Sequence, residues 1–445
     1  MFQTLLLVTL ALVESPAQAS SPAYPLKKSA TGRFLIDQKE KPFLVLGDSA
    51  WSLIAQLGDK EIDQYLDDRA KRGFNSLIVN LIEHKFCTNV PATRAKIAPF
   101  QKMGDFSTPN PAYFDFAYNV VKKAKDRGIV VWLFPAYLGY GGGNEGWFQD
   151  MKATGKGNLH RYGRFVGKRF KELPNLVWVM GGDFTPPKED QWTVTEIAKG
   201  IHEEDTQHLM SAHGGPSSHS AVIAFGESDW LTVNSVYSYE KTLFRPLLTE
   251  FHRPRTRPFV LLESVYEGEH DSKPHEIRRQ SYWAMLSGAC GQFFGNNPIW
   301  HFDGPGLFPF TTPWQKALDG TGSRDMARLR RAFAELAWHE LAPDESHTIV
   351  TKGYGKDLST VLTAKTPDRT LAIGYVPSTE MHSQVLTIDF ARFSGPVTAR
   401  WYNPTDGRFT VISNQPFPNH GARALQTPGD NGTGAYDWLL VLKVK

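Results

Sequence analysis

Two acidic residues stand where chemistry on a polar bond would need them. The stretch Asn175-Leu-Val-Trp-Val-Met-Gly-Gly-Asp183 reads as a buried strand, entered through Pro174, left through two glycines and ending on the carboxylate of Asp183. Pro258-Phe-Val-Leu-Leu-Glu263 repeats the pattern, an apolar run that closes on an acid. Paired carboxylates at strand tips suit hydrolysis of a glycosidic bond. One carboxylic acid protonates the leaving oxygen while the other carboxylate attacks the anomeric carbon or activates water. A separation of roughly 5–5.5 Å retains the anomeric configuration and roughly 6.5–9.5 Å inverts it; spacing along the chain leaves that choice open. Taken singly, each acid has an ordinary structural reading, because Gly-Gly-Asp is a common turn and an Asp after a strand often caps the next helix. At the ends of the fourth and seventh strands of one barrel they read as a catalytic pair.

The elements that must position them alternate along the chain. Strand patterns occur at 43–48, 74–80, 129–135, 175–183, 209–213, 230–236, around 259 and at 291–295. Helical patterns occur at 60–72, 110–128, 159–173, 191–203, 243–251, 274–287 and 324–339. Asp59 is the expected cap of the first helix and Asn110-Pro111 opens the second. Parallel strands buried on both faces read as near-continuous apolar runs, as these do. Eight such units form a (β/α)8 barrel more often than an open, doubly wound sheet. The open sheet remains the alternative and would bring a topological switch point with no fixed pairing of strand tips. From about residue 346 helical periodicity stops. Seven short alternating runs follow, at 348–351, 359–363, 370–374, 385–389, 397–402, 408–412 and 438–442, with turn signals such as Pro404-Thr-Asp-Gly407 between them. They indicate a small all-β sandwich over 343–445, after a barrel over 20–342.

In a β/α barrel the working face is the one where the strands end. The expected sugar-binding residues there are Asp48 and Trp51, Asn80 and His84, Tyr137, His213, Asn234 and Tyr237, and Asn296 and Trp300. They combine hydrogen-bonding groups with aromatic plates, although loop residues are commonly polar for no functional reason. Tyr237 is expected to hydrogen-bond Glu263.

Composition narrows the classes. The chain has 445 residues, 41% apolar and 21% charged, with a net charge of +3. That charge is too small to indicate a nucleic-acid partner. Aromatic residues reach 12%, including 12 Trp, which suits an oligo- or polysaccharide ligand. Gly141-Gly-Gly-Asn-Glu-Gly146 fits a dinucleotide-loop template but lacks the acidic residue such a site requires, and reads as a rim loop. No H-E-x-x-H, G-x-S-x-G or phosphate-loop motif occurs, so no metal or cofactor is implied and a protease lacks support. The apolar run 5–13 followed by Ala17-Gln18-Ala19 reads as a signal peptide cleaved after Ala19, giving a secreted or periplasmic protein. That run is too short to span a bilayer, and no membrane insertion is expected. Cys87 and Cys290 form no disulfide framework and read as free buried thiols. Asn431-Gly-Thr433 matches a glycosylation sequon by pattern alone.

Gly47-Asp-Ser-Ala-Trp51, Gly73-Phe-Asn75, Val179-Met-Gly-Gly-Asp183, Leu262-Glu263-Ser264 and Trp401-Tyr-Asn-Pro-Thr-Asp-Gly-Arg408 resemble the apiosidase-like proteins of glycoside hydrolase family 140. The resemblance covers nearly the whole chain beyond residue 19, and the C-terminal part resembles a collagen-binding-type sandwich. It implies a retaining mechanism with an Asp acid/base and a Glu nucleophile, which fall by motif on Asp183 and Glu263. It implies apiose, from plant cell-wall pectin, as the sugar. One position departs from the wider pattern of barrel glycosidases, which place Asn before the acid/base to hold the sugar 2-hydroxyl. Here Gly182 stands there, so recognition of that hydroxyl must come from elsewhere. Two rivals remain: a carbohydrate-binding barrel without turnover, and a retaining glycosidase for another pentose or a hexose.

Overall fold

The computed structural model describes residues 22–379 and 381–445; the expected signal peptide and its cleavage site at Ala19 lie outside the described residues. The centre of the molecule is a ring of eight parallel strands: β1 (Val45–Ser49), β2 (Ser76–Asn80), β3 (Val130–Phe134), β4 (Leu176–Gly181), β5 (Leu209–His213), β6 (Asn234–Tyr237), β7 (Phe259–Glu263) and β8 (Gly291–Phe294). Ladders join β5-β4-β3-β2-β1-β8-β7-β6 in that order. The ring closes between β5 and β6 through the N–H groups of Thr232 and Val233, which donate to the Met210 carbonyl at 2.9 and 3.0 Å. Side chains alternate across each strand, so one set fills the barrel and the other meets the helices. On β4, Val177 and Val179 pack inside with Trp132, Val260 and Leu262, while Leu176, Trp178 and Met180 join the helix-facing core.

The main outer helices are α1 (Asp59–Arg72), α2 (Pro111–Lys125), α3 (Lys156–Phe170), α4 (Trp192–Glu204), α5 (Phe244–Phe251), α6 (Pro274–Leu286) and α7 (Thr321–Ala334). The Asn110 side chain accepts the Ala112 N–H and caps α2. The first helix starts one residue earlier than its sequence implies. Gly58 is the N-cap, and the Glu61 carboxylate accepts the Gly58 N–H at 2.9 Å, leaving Asp59 as the first helical residue.

Nine antiparallel strands complete the chain: β9 (Ala342–Pro343), β10 (Val350–Lys352), β11 (Leu362–Lys365), β12 (Leu371–Val376), β13 (Val385–Asp389), β14 (Val397–Tyr402), β15 (Phe409–Val411), β16 (Ala422–Gln426) and β17 (Trp438–Val444). One sheet runs β9-β11-β12-β17-β14-β15 and the other β10-β13-β16. The architecture is a (β/α)8 barrel followed by a β-sandwich. Cys87 and Cys290 are both free and buried. Among the described residues no helix is long and apolar enough to cross a membrane.

Candidate active site

Strand β4 ends in a backbone that only glycine adopts easily. Gly181 and Gly182 have φ of +84° and +135°, and Asp183 itself is left-handed at +54°. This turn swings the Asp183 N–H onto Nδ1 of His213, at the tip of β5, at 2.7 Å. Because Nδ1 accepts that bond, the ring carries its proton on Nε2. Nε2–H then donates to Oε2 of Glu263, at the tip of β7, at 2.8 Å. One imidazole therefore ties the Asp183 backbone to the Glu263 carboxylate.

Two phenols complete the cluster. Tyr237, the last residue of β6, lies flat on His213 with ring centroids 4.6 Å apart and donates its hydroxyl to Asp183 Oδ1 at 2.9 Å. Tyr137 donates to Asp183 Oδ2 at 3.2 Å. Tyr237 thus serves Asp183 and not Glu263 as its position on the neighbouring strand implied, since stacking on His213 turns its hydroxyl toward the β4 tip. Burial, and then the two carboxylates, hold both hydroxyls far above the ordinary phenol range, so they remain donors. Burial and then the negative charge of Glu263 push the Asp183 carboxyl up to about 7, against the pull of these donors.

The cluster opens into a cleft of about 620 Å³. Its walls include Trp51, Asn80, Phe86, Tyr266 and Trp300, and Tyr140, Tyr239 and Leu307 stand exposed at its rim. Trp51 Nε1 donates to the Tyr266 hydroxyl at 2.9 Å, which sets the indole plane in the wall. A half-buried pair of acids over a pocket of this size, one of them pushed up to about 7, can cleave a polar bond by proton transfer and nucleophilic attack.

The apiosidase-like catalytic-domain family matches residues 29–340 of the chain. The chain belongs to this family. As a member it is a glycoside hydrolase. Residues 343–443 match a second family, described as "Putative collagen-binding domain of a collagenase". A solved structure described as a glycoside hydrolase superposes with a TM-score of 0.81 at 22% identity, over 95% of this chain and 97% of its own. A glycoside hydrolase family 5 protein from Bacteroides vulgatus does so with a TM-score of 0.81 at 22% identity, over 94% and 92%. These two share the fold of both parts. No curated protein sequence matches the chain.

In this apiosidase-like chain the cleft gathers seven of the residues expected from sequence: Asp183, Glu263, Trp51, Asn80, Tyr137, Tyr237 and Trp300. His213 lies fully buried beneath them and touches the site through its two bonds. Four others sit elsewhere. Asp48 points outward from β1 to α1, where its Oδ2 accepts from Tyr65 at 2.7 Å and from Arg69 at 3.3 Å; strand alternation sends it to the helix layer. Asn234 starts β6 instead of ending it, because the chain before it is still bonded to Met210, and its amide reaches Glu250 Oε2 at 2.6 Å. His84 turns its ring edge-on to Trp147 at 4.7 Å, toward Asp150. Asn296 donates to Glu267 Oε2 at 2.8 Å and braces a loop behind the wall.

Sequence reading missed Glu145, Tyr239, Tyr266 and Glu269, all of which line the cleft. Tyr239 has the same face parity as Tyr237, a signal that was available. Glu145 belongs to the glycine-rich rim loop and pairs with Lys85 at 2.9 Å. Among the described residues no group of three or more His, Cys, Asp or Glu side chains is arranged to hold a metal ion.

Proposed function

We propose that this glycoside hydrolase is a secreted or periplasmic, exo-acting, retaining enzyme that removes a terminal sugar from plant cell-wall polysaccharide in an apiosidase-like reaction. The observation that carries the site assignment is the His213 bridge, which fixes Glu263 and the turn bearing Asp183 over one cleft. In the first step Asp183 gives its proton to the glycosidic oxygen. Glu263 forms a bond to the anomeric carbon as the bond to the leaving oxygen breaks. In the second step Asp183 takes a proton from water, the water oxygen bonds to the anomeric carbon, and the carboxylate of Glu263 is released.

The charge states support these roles. Asp183 is pushed up to about 7 and so holds a proton below that pH. His213 bonds only Oε2 of Glu263, and Oε1 has no partner among the described residues, which leaves it free to attack. Family membership supports an apiosidase-like sugar, and the leader pattern ending at Ala19 supports export. The test is a screen of aryl glycosides and plant pectin fractions with the wild type, Asp183→Asn and Glu263→Gln. Each variant should lose at least about 100-fold in rate, and the anomer released first by the wild type, followed by NMR, should match that of the substrate. Full activity in either variant, or release of the opposite anomer, defeats the assignment.

A further inference from the structure

The cleft holds a third carboxyl that the two-acid mechanism does not use. Glu269 lies on the loop that follows Glu263 at the end of β7, and lines the same cleft. It is only 7% exposed. Its carboxylate has one hydrogen bond among the described residues, from Trp300 Nε1 to Oε1 at 2.9 Å, and Oε2 has no partner. That oxygen is not sealed off from the cleft, so a ligand there can bond it directly.

The loop is built to hold this side chain in place. The next two residues, His270 and Asp271, are left-handed at φ of +50° and +54°, and Ser272 Oγ closes the turn onto the Tyr266 carbonyl at 2.8 Å. Non-glycine residues stay in that region only where the surroundings fix them. Trp300 is wedged edge-on against Phe86 at 5.0 Å and His301 at 4.4 Å. Burial, with the charge of Glu263 adding to it and the Trp300 bond opposing, pushes the Glu269 carboxyl up to about 7. The carboxyl can therefore both donate to and accept from a hydroxyl near neutrality.

The charge of the lining restricts the sugar. Among the described residues no Lys or Arg side chain lines the cleft, whereas Glu145, Asp183, Glu263 and Glu269 do. Lys85 approaches the edge but is paired with Glu145. A sugar carboxylate would meet acids and find no ammonium or guanidinium to pair with.

We propose that Glu269, held by Trp300, is a specificity-determining residue that binds a hydroxyl of the sugar beside Glu263, and that the site accepts neutral glycosyl groups and rejects uronic acids. This rests on Asp183 and Glu263 being the catalytic pair. The test is saturation-transfer NMR with xylose, arabinose, galactose and glucose, and with galacturonate and glucuronate, on the wild type, Glu269→Gln, Glu269→Ala, Trp300→Phe and Glu263→Gln. The wild type should bind at least one neutral sugar and neither uronate. Glu269→Gln and Glu269→Ala should weaken that binding about 10- to 100-fold, the scale of a hydrogen bond to a charged group. Trp300→Phe should weaken it less, in the same direction. With the aryl glycoside that the wild type hydrolyses, the Glu269 variants should raise KM more than they lower kcat. If Glu269→Ala does not fold, as judged by its melting curve, the isosteric Gln variant decides. Wild-type binding by both folded Glu269 variants, tighter binding of a uronate than of its neutral counterpart, or no binding of any neutral sugar overturns the proposal. Activity lost in Glu263→Gln but untouched in the Glu269 variants sinks this inference and leaves the catalytic pair standing. Activity kept in Glu263→Gln sinks the pair itself.

Discussion

At Gly182 a side chain has no room. A Cβ there would lie 2.3 Å from Cδ2 of Tyr137, on a backbone with φ of +135°. The Tyr137 ring fills the space that an Asn side chain would need and sends its hydroxyl to Asp183. Gly182→Asn should therefore displace Tyr137, cost about 1–3 kcal/mol of stability through overpacking and lower kcat/KM more than Tyr137→Phe does. Equal kinetics in the two variants would show that the tyrosine is not what the glycine protects. The two phenols also bear on the pH profile. In the proposed mechanism Asp183 acts in its protonated form, so kcat/KM should fall as pH rises through about 7. Both hydroxyls favour the ionised carboxylate, and removing one raises its pKa further. Tyr237→Phe should therefore move the basic limb of the pH profile to higher pH, and an unmoved or lowered limb would assign the acid to another group. At this scale the sequence disclosed what strand patterns can disclose. Asp183 and Glu263 end apolar runs, and Tyr137, His213 and Tyr237 follow from the same tips. Asp48 failed because one step along a strand changes its face. Glu269 left no trace because it sits mid-loop between Glu267 and Asp271, and no periodicity separates a cleft acid from a solvated one.

Among the elements, the pair α3 and α4 is packed through its glycines. A Cβ on Gly163 would lie 2.4 Å from the Ile197 carbonyl oxygen, and one on Gly200 would lie 2.2 Å from that of His160. The two backbones touch where ordinary side chains would hold them apart. Gly200→Ala should lower stability by about 1–3 kcal/mol, read as an earlier denaturant midpoint, with kcat of the folded enzyme unchanged because this contact lies outside the barrel. An unchanged midpoint would mean that the helices can separate without loss. Helical and strand patterns located nearly every main barrel element, since each main helix buries one continuous face and each barrel strand buries both. Among the strands that escaped or shifted, two have a plain physical reason. β6 starts at Asn234 because Thr232 and Val233 are bonded to Met210 and close the barrel. β16 has a single buried residue, Leu425, so it carries no alternation to read.

For the whole molecule, the question is whether the sandwich is an appendage or a brace. Its joint with the barrel is buried and charged. Arg278, on α6 between the Glu263 strand and β8, donates through Nε and Nη2 to both oxygens of Asp437 at 2.7 Å, and through Nη1 to Asp325 at 2.8 Å. Tyr375 and Asn431 of the sandwich also donate to Asp437, at 3.0 and 2.8 Å. Tyr282 of α6 stacks on Tyr375 with centroids 4.7 Å apart, and Trp283 donates to the Thr360 carbonyl at 3.2 Å. Detaching the sandwich would leave a buried guanidinium short of its main partner and expose two aromatic faces, which no barrel built for solvent would carry on its outside. Calorimetry should therefore show barrel and sandwich melting in one transition. Asp437→Asn removes one charge, keeps the shape and leaves Arg278 paired with Asp325, and should destabilise that single transition by about 1.5–3 kcal/mol, the scale of hydrogen bonds to a charged group. Two transitions, with the barrel's unmoved by the substitution, would mean that the sandwich merely rides on the enzyme. One shared transition would make it a structural support for the helix that connects the Glu263 strand to the next.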